Sequence, residues 1–402
     1  MPASAWSPFR HRAFAVLWSA SLVSNVGGWM HDLAAGWLMT TLAPSPATVA
    51  MVQTATTLPV FLLALPAGTL ADRVDKRRLQ IVVQSVMLLI AAVLGVLVLQ
   101  GRITSALLIG FTLCIGLCTA ILSPSWQSIL PKLISRDDLQ PAVALHAVGM
   151  NISRSIGPAL GGALIVAFGM AWPFFFNALS FLAVIAALLW WRPQPEPPRT
   201  QPAVTFSTAL LQGLDLARTN RALQNTLLRS VLFYVCGGAY WALLPLIARV
   251  QFSGGAPFFG ILVGCNGAGA VLGALFLPRL RARVGLDGVV VAGTLGTVLA
   301  MTGYALLHVP LLGLLASLLA GAAWLATLSS LNVSAQLAVP DWARARGMAL
   351  YTSVFYGCLA LGSLLWGQVA SHSSLGAALL LAAGGALLGL AFTRSLPLKS
   401  RA

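Results

Sequence analysis

Acidic side chains are scarce in this sequence: nine Asp and Glu among 402 residues, against 24 Lys and Arg. Charged residues together make up 8%, where a soluble globular chain carries about 25%. So little charge cannot solvate a surface of this size, which excludes a water-soluble globular enzyme. Cysteine is rare too. Its five positions (Cys114, Cys118, Cys236, Cys265 and Cys358) all fall in apolar stretches, so no disulfide framework is implied. Cys114 and Cys118 stand one helical turn apart, but no histidine or acid accompanies them to complete a metal site. The chain contains neither HExxH nor a Walker sequence, which leaves zinc proteolysis and ATP hydrolysis without support. GCNGAGAVLG, residues 264–273, resembles a dinucleotide fingerprint but lacks a preceding strand, so it reads as a helix-packing face.

What the chain has in abundance is apolar sequence: 58% of residues are hydrophobic, with a mean hydropathy of +0.87. Residues 79–101, 103–131, 250–278, 288–340 and 347–393 carry no charge at all. Each run exceeds the roughly 20 residues that cross a hydrocarbon core, and the longer ones hold two crossings. The apolar stretch from Ala13 to Leu42 is too long for the core of a signal peptide and reads as a first membrane helix. The expected class is an all-α polytopic membrane protein.

Hydropathy and turn residues place twelve spans, roughly 13–41, 47–70, 79–99, 104–131, 139–168, 172–191, 221–248, 257–278, 288–307, 311–337, 347–370 and 375–393. With the N-terminus inside, every Lys and Arg lies in a cytoplasmic segment except Arg102 and Arg249 outside and Arg154 and Arg229 within spans. That asymmetry predicts both termini in the cytoplasm and the inner (cytoplasmic) membrane as the location. Basic loops beside anionic headgroups explain the net charge of +15 without a nucleic-acid partner. The proline-rich segment RPQPEPPRTQPAV (192–204) cannot be helical, and FSTALLQGLDLARTN (206–220) is amphipathic. The chain therefore divides into a six-helix half over 1–191, a cytoplasmic linker over 192–220 and a second half over 221–402. Two such halves around a midplane site are a transporter layout.

Three motifs narrow this. Between spans two and three lies GTLADRVDKRRLQ (68–80), which resembles the loop signature of the major facilitator superfamily through Gly68, Leu70, Asp72, Arg73, Lys76 and Arg77. Asp75 stands where that signature usually has glycine. The resemblance implies a gate in which Gly68 allows close helix approach, Asp72 faces a helix end or an arginine, and the basic residues hold the inner surface. Span five carries NISRSIGPALGG (151–162), similar to the superfamily's antiporter motif through Gly157, Pro158, Gly161 and Gly162. Pro158 should kink the helix, and the glycines admit a neighbouring backbone. The narrower likeness, carried by NVGGWMHDLAAGWL, LSPSWQSILPKLI and QLAVPDWARARGMALY, is to the enterobactin-exporter-like, or transmembrane secretion effector, branch. It implies proton-coupled export of small organic molecules. Drug–proton antiporters of the superfamily place an arginine in span four; span four here has none, so Arg154 in span five is the nearest candidate.

Eight of the nine acids (Asp72, Asp75, Asp137, Asp138, Glu196, Asp215, Asp287 and Asp341) fall in cytoplasmic segments; Asp32 alone does not. With the midplane of span one near residue 27, Asp32 sits about 7 Å beyond it. An ionisable residue at that depth costs about 2.5 kcal/mol or more and usually has a function. Ser21, Asn25, Gly28 and Asp32 share one helix face, with Trp29 beside it, and should look into a cavity. We expect Asp32 to be the proton-coupling carboxylate with Arg154 as its charge partner; a static ion pair between helices is the competing reading. His31 points about 100° away; it could modulate Asp32, and the plainer reading is that it caps a polar contact at the helix border. Arg229 reads as a snorkelling side chain without a role. In the superfamily, spans one, four, seven and ten surround the substrate, which points to Asn25 and Trp29, then Trp126 and Gln127, then Tyr234, Tyr240 and Trp241, then Trp324, with Trp126 and Trp241 standing near helix ends.

The expected function is secondary active, proton-coupled export of siderophore-like or drug-like molecules by alternating access. A lipid or lysolipid flippase and a non-transporting scaffold or receptor are the alternatives. Enzymatic activity, a metal and a cofactor are not expected. The expected partners are a small-molecule substrate, protons and membrane lipids, with no nucleic acid and no oligomer required.

Overall fold

The structure, a computed structural model, describes residues 6–43, 45–192, 215–340 and 343–399. Side chains of residues 64–73, 124, 127, 128, 136 and 345 are not described. Twelve long helices occupy the described residues: α1 (Arg12–Leu42), α2 (Pro46–Arg73), α3 (Lys76–Leu99), α4 (Ser105–Ile129), α5 (Leu139–Phe168), α6 (Trp172–Trp190) and α7 (Arg221–Leu246), then a single helical run, Ala256–Leu306, broken at Gly285 into α8 and α9, followed by α10 (Pro310–Ala338), α11 (Arg344–His372) and α12 (Leu375–Thr393). Gly285 has φ +69°, a left-handed turn that a Cβ disfavours, and it separates the two helices that the sequence places at 257–278 and 288–307. Among the described residues, ten helical stretches are long and apolar enough to cross a membrane. The run Ala256–Leu306 counts among them once, and α5, which carries Arg154, Asn151 and His146, is not among them.

Side chains fix several helix starts. Asp75 Oδ1 accepts from Arg78 N (2.8 Å), so the acid that departs from the loop signature is the N-cap of α3. Thr104, Asn220 and Ser374 cap α4, α7 and α12 in the same way. At the start of α5, Asp138 gathers hydrogen bonds from the Ser7 hydroxyl (2.5 Å), His11 Nε2 (2.8 Å) and the Ser135 hydroxyl (2.8 Å). These hold its carboxyl well below the usual 3.8, at about 2, with Ser7 the largest influence.

Helices α1–α6 pack among themselves and α7–α12 do likewise, with α5 against α8 and α2 against α11 as the main contacts between the groups. Small residues bring the backbones close. A Cβ on Gly269 would overlap the Leu318 carbonyl oxygen, and one on Gly321 would overlap that of Asn266, so α8 and α10 touch through bare glycine. Of the expectations above, residues 193–214 and Asp341 lie outside the described residues, as do the side chains of Gly68, Asp72, Arg73 and Gln127.

Two outcomes follow. Gly321→Val should cost about 1–3 kcal/mol through overpacking and lower the thermal midpoint of the purified protein; an unchanged midpoint would contradict the contact. Because the Asp138 carboxyl is depressed in the fold, its contribution is present above about pH 4 and lost as pH falls towards about 2. Hydrogen exchange of residues 7–10 should accelerate over that window, and Asp138→Asn should accelerate it at neutral pH.

Candidate substrate cavity and coupling site

A cavity of about 430 Å³ opens among α1–α6, with Tyr356 of α11 as the single wall residue from the second group among the described residues. Its α1 wall is Ser21, Ser24, Asn25, Gly28, Trp29, His31 and Asp32. Apart from Trp29 and His31, these recur every three or four residues, the spacing of one helix face. Residues 33–40 are buried without exception, so the cavity stops at Asp32. Asp32 is exposed into it, and among the described residues its carboxylate has no hydrogen-bond or ion-pair partner. One residue earlier, His31 is buried with its ring edge-on to Phe174 at 4.9 Å, and neither ring nitrogen is bonded. No group of His, Cys, Asp or Glu that would hold a metal occurs among the described residues.

Arg154 does not pair with Asp32. Its Nη2 donates to Asn266 Oδ1 of α8 (2.9 Å), and its guanidinium lies 4.9 Å from the Trp241 ring and 5.8 Å from the Trp29 ring. Packing explains the turn. A Cβ on Gly157 would stand 2.7 Å from Trp29 Cβ, and one on Gly161 would stand 3.1 Å from Met30 Cα, so α5 is pressed flat against α1. The next face of α5 meets α8, where Gly260 approaches the Pro158 carbonyl and Gly162 approaches that of Ala256. Gly157, Pro158, Gly161 and Gly162 are all buried in these contacts.

The two groups also meet where α1 ends and α2 begins. Arg249 Nη1 donates to Thr40 O (2.6 Å) and Thr40 Oγ1 (3.0 Å), while Ala47 N donates to Ser371 Oγ (2.9 Å). Thr54 Oγ1 reaches Ala360 O at 3.3 Å. This end of the bundle is sealed, and the seal ends where Asp32 begins the cavity.

Other expected residues are placed as follows. Asn25 and Trp29 line the cavity. Tyr234, Tyr240 and Trp324 do not; they pack together inside the second group, ring to ring at 5.6–5.9 Å for Trp324 with each tyrosine, and Tyr234 bonds the Tyr351 hydroxyl at 3.0 Å. Of the loop signature, Lys76 is buried, and Arg77 donates to Leu188 O (2.6 Å) and Leu189 O (2.9 Å), pinning α3 to the end of α6. Arg229, read from sequence as idle, forms an ion pair with Asp287 that joins α7 to α9. Trp126, a span-four candidate, also lines the cavity, and the wall residues overlooked in the sequence are Gln80 and Gln84 of α3, Asn177 of α6 and Tyr356. Two amides one turn apart inside an apolar helix, Gln80 and Gln84, were a legible signal.

Two packed groups of helices, with a cavity closed at one end that opens within the first and reaches the second at Tyr356, have the arrangement of a transporter of the major facilitator type. Comparison with solved structures agrees on the fold: the peptide transporter POT superposes with a TM-score of 0.77 at 13% identity, covering 96% of this chain and 94% of that one. A bacterial homologue of the human lysosomal transporter Spinster, in an inward-facing occupied conformation, gives a TM-score of 0.75 at 14% identity over 98% and 99% of the two chains. The chain belongs to the transmembrane secretion effector family, whose pattern it matches over residues 3–401. It is similar to the staphyloferrin A transporter of Staphylococcus aureus, 27% identical over 67% of each chain. It is also similar to the enterobactin exporter EntS of Escherichia coli, 26% identical over 92% of this chain and 90% of that one.

Arg249→Ala removes a charge-assisted pair of hydrogen bonds from the seal, worth about 1.5–3 kcal/mol. Amide exchange across residues 33–40 should then rise about tenfold or more; exchange at the original rate would show that the Arg249–Thr40 contact does not hold the seal.

Proposed function

We propose that this chain is a proton-coupled exporter of small amphipathic organic molecules, siderophore-like or drug-like in size, working by alternating access. The observation that carries this reading is Asp32: an unpaired carboxylate exposed at the closed foot of a polar, aromatic-walled cavity. An acid that faces the cavity with no fixed partner is free to exchange a proton with the cavity and with substrate, which a locked ion pair is not. The likeness to transporters named for staphyloferrin A and enterobactin supports the substrate class.

In the topology we propose, the chain crosses the inner membrane twelve times with both termini in the cytoplasm. Its halves are residues 1–191 and 221–402, joined by the linker 192–220. The basic residues of the segments read as cytoplasmic, such as Arg77, Arg78, Lys132, Arg279 and Arg283, support that orientation. The sealed end, with Thr40 and Arg249, then faces outwards, and the cavity takes substrate from the cytoplasm. Loading would favour rocking of the halves, opening of the α5–α8 and α2–α11 contacts, release of substrate outside and uptake of a proton by Asp32. Return to the state described here would deliver that proton inside. Gly157, Pro158, Gly161 and Gly162 supply the closing surface, while Gly68, Asp72, Arg73, Lys76 and Arg77 would form the opposite gate. Asn25, Trp29 and Gln127 are proposed to contact substrate.

The test is transport in proteoliposomes with an imposed pH gradient and a panel of siderophores and cationic drugs. The wild type should move at least one of them faster with the gradient than without it. Asp32→Asn should lose all gradient dependence while keeping substrate exchange. Gradient-driven transport at the wild-type rate in that variant would refute the assignment.

A further inference from the structure

Three side chains of the cavity wall hold a buried polar atom that finds no partner among the described residues: His31, Gln84 and Trp126. Gln84 leaves a carbonyl oxygen unused and Trp126 an indole N–H, and neither group exchanges protons as an acid or base near neutral pH. His31 leaves both ring nitrogens unused. Buried polar groups ordinarily find partners, so a histidine idle at both nitrogens requires an explanation. A hydrogen bond at one nitrogen ordinarily fixes the tautomer of the ring. Among the described residues none fixes it here, so either nitrogen can carry the proton while the other offers a lone pair.

The ring is also placed between the cavity and the seal. It lines the cavity, yet its edge meets Phe174, the third residue of α6. Just beyond it, residues 33–40 are buried without exception. The helices packed against α1 leave Asp32 as its charged neighbour. Helices α4 and α6 contain no charged residue, Arg154 of α5 is turned to Asn266, and Arg249 at the seal is held by Thr40. His146 of α5, Asp72 and Arg73 of α2, Arg229 of α7 and Arg279 of α8 stand towards the ends of their helices that lie away from the seal. An imidazolium held at His31 would be a buried, unpaired charge, which is costly. The ring is therefore suited to passing a proton on rather than storing one.

We infer that His31 relays protons between the sealed side and Asp32. When the seal opens, one ring nitrogen accepts a proton from water entering on that side. The N–H at the other nitrogen gives its proton to the Asp32 carboxylate. Side chains at adjacent helix positions diverge, so this second transfer crosses cavity water rather than a direct bond. One proton gained and one lost leave the ring neutral in its other tautomer, and a ring flip or the reverse transfer resets it. The relay rests on the transport reading above and gives the proton of that reading its path to Asp32.

The test has two arms, both on the full chain. The first is NMR of the protein with ring-labelled histidine, purified in detergent. The chain has five histidines (His11, His31, His146, His308 and His372), and the signal lost in His31→Gln identifies His31. Its ring nitrogens should report two exchanging tautomers, and Asp32→Asn should change that exchange. A single tautomer, unaltered in Asp32→Asn, would overturn the relay. The second arm is transport of the same siderophores and cationic drugs in proteoliposomes. His31→Gln keeps a donor and an acceptor, and His31→Phe keeps the ring; neither carries a proton. Each should lower gradient-driven transport about tenfold or more relative to substrate exchange, and each should enlarge the slowing caused by heavy water. A wild-type ratio in both variants would overturn the relay and leave an Asp32-dependent exporter standing. Equal loss of exchange and of gradient-driven transport in both would mark a packing residue and overturn it too. Asp32-dependent tautomer exchange without any gradient-driven transport in the wild type would keep the relay and remove the exporter reading.

Discussion

The contact that organises this protein is the flat approach of α5 to α1 on one side and to α8 on the other. Gly157 and Gly161 let α5 touch the backbone of α1 near Trp29 and Met30, and Gly162 and Pro158 meet the start of α8. Any side chain larger than hydrogen at Gly157 would collide with Trp29. In an apolar solvent no hydrophobic force pulls helices together, so close van der Waals packing of this kind has to supply the association. The same contact closes one end of the bundle and turns Arg154 away from α1. Asp32 is therefore left alone at the boundary between the seal and the cavity.

That separation of charges gives the site its chemistry. A carboxylate and a guanidinium in one low-dielectric interior would be expected to neutralise each other, because an unpaired buried charge is costly. Here the guanidinium is satisfied in part by Asn266 and two indole faces, and the carboxylate opens onto a polar cavity lined by hydroxyls, amides and Trp29. Neither charge is locked to the other. A pair of this kind can respond separately to a proton and to a substrate, which a static ion pair between helices would prevent. The second group of helices contributes rigidity: Tyr234, Tyr240 and Trp324 pack ring against ring, and Arg229 ties α7 to α9 through Asp287.

Much of this was legible in the sequence because membrane proteins obey few and strong rules. Long uncharged runs gave the helices, the proline-rich segment gave the expected division, and the count of acids isolated Asp32. Glycine spacing in NISRSIGPALGG announced a close helix contact. What sequence left open was rotation. Helix periodicity says which residues share a face but not which neighbour that face meets, so Arg154 was paired with Asp32 when it faces α8. The aromatic residues of α7 and α10 were placed on a cavity for the same reason. The polar wall of α3 and α6 lies outside the four helices that the superfamily resemblance puts around a substrate, and only the packing shows that Gln80, Gln84 and Asn177 face the cavity. Asp75 looked like a defect in a loop signature and is a helix cap, a role set by its position before Lys76 rather than by the signature.

The central claim is that Asp32 changes protonation when substrate enters the cavity. Difference infrared spectroscopy of the reconstituted protein tests it most directly, through the carbonyl band of a protonated carboxyl group on addition of a transported substrate. The account predicts a change in that band in the wild type that disappears in Asp32→Asn. A spectrum in which substrate leaves the band untouched, or changes it equally in Asp32→Asn, would contradict the account.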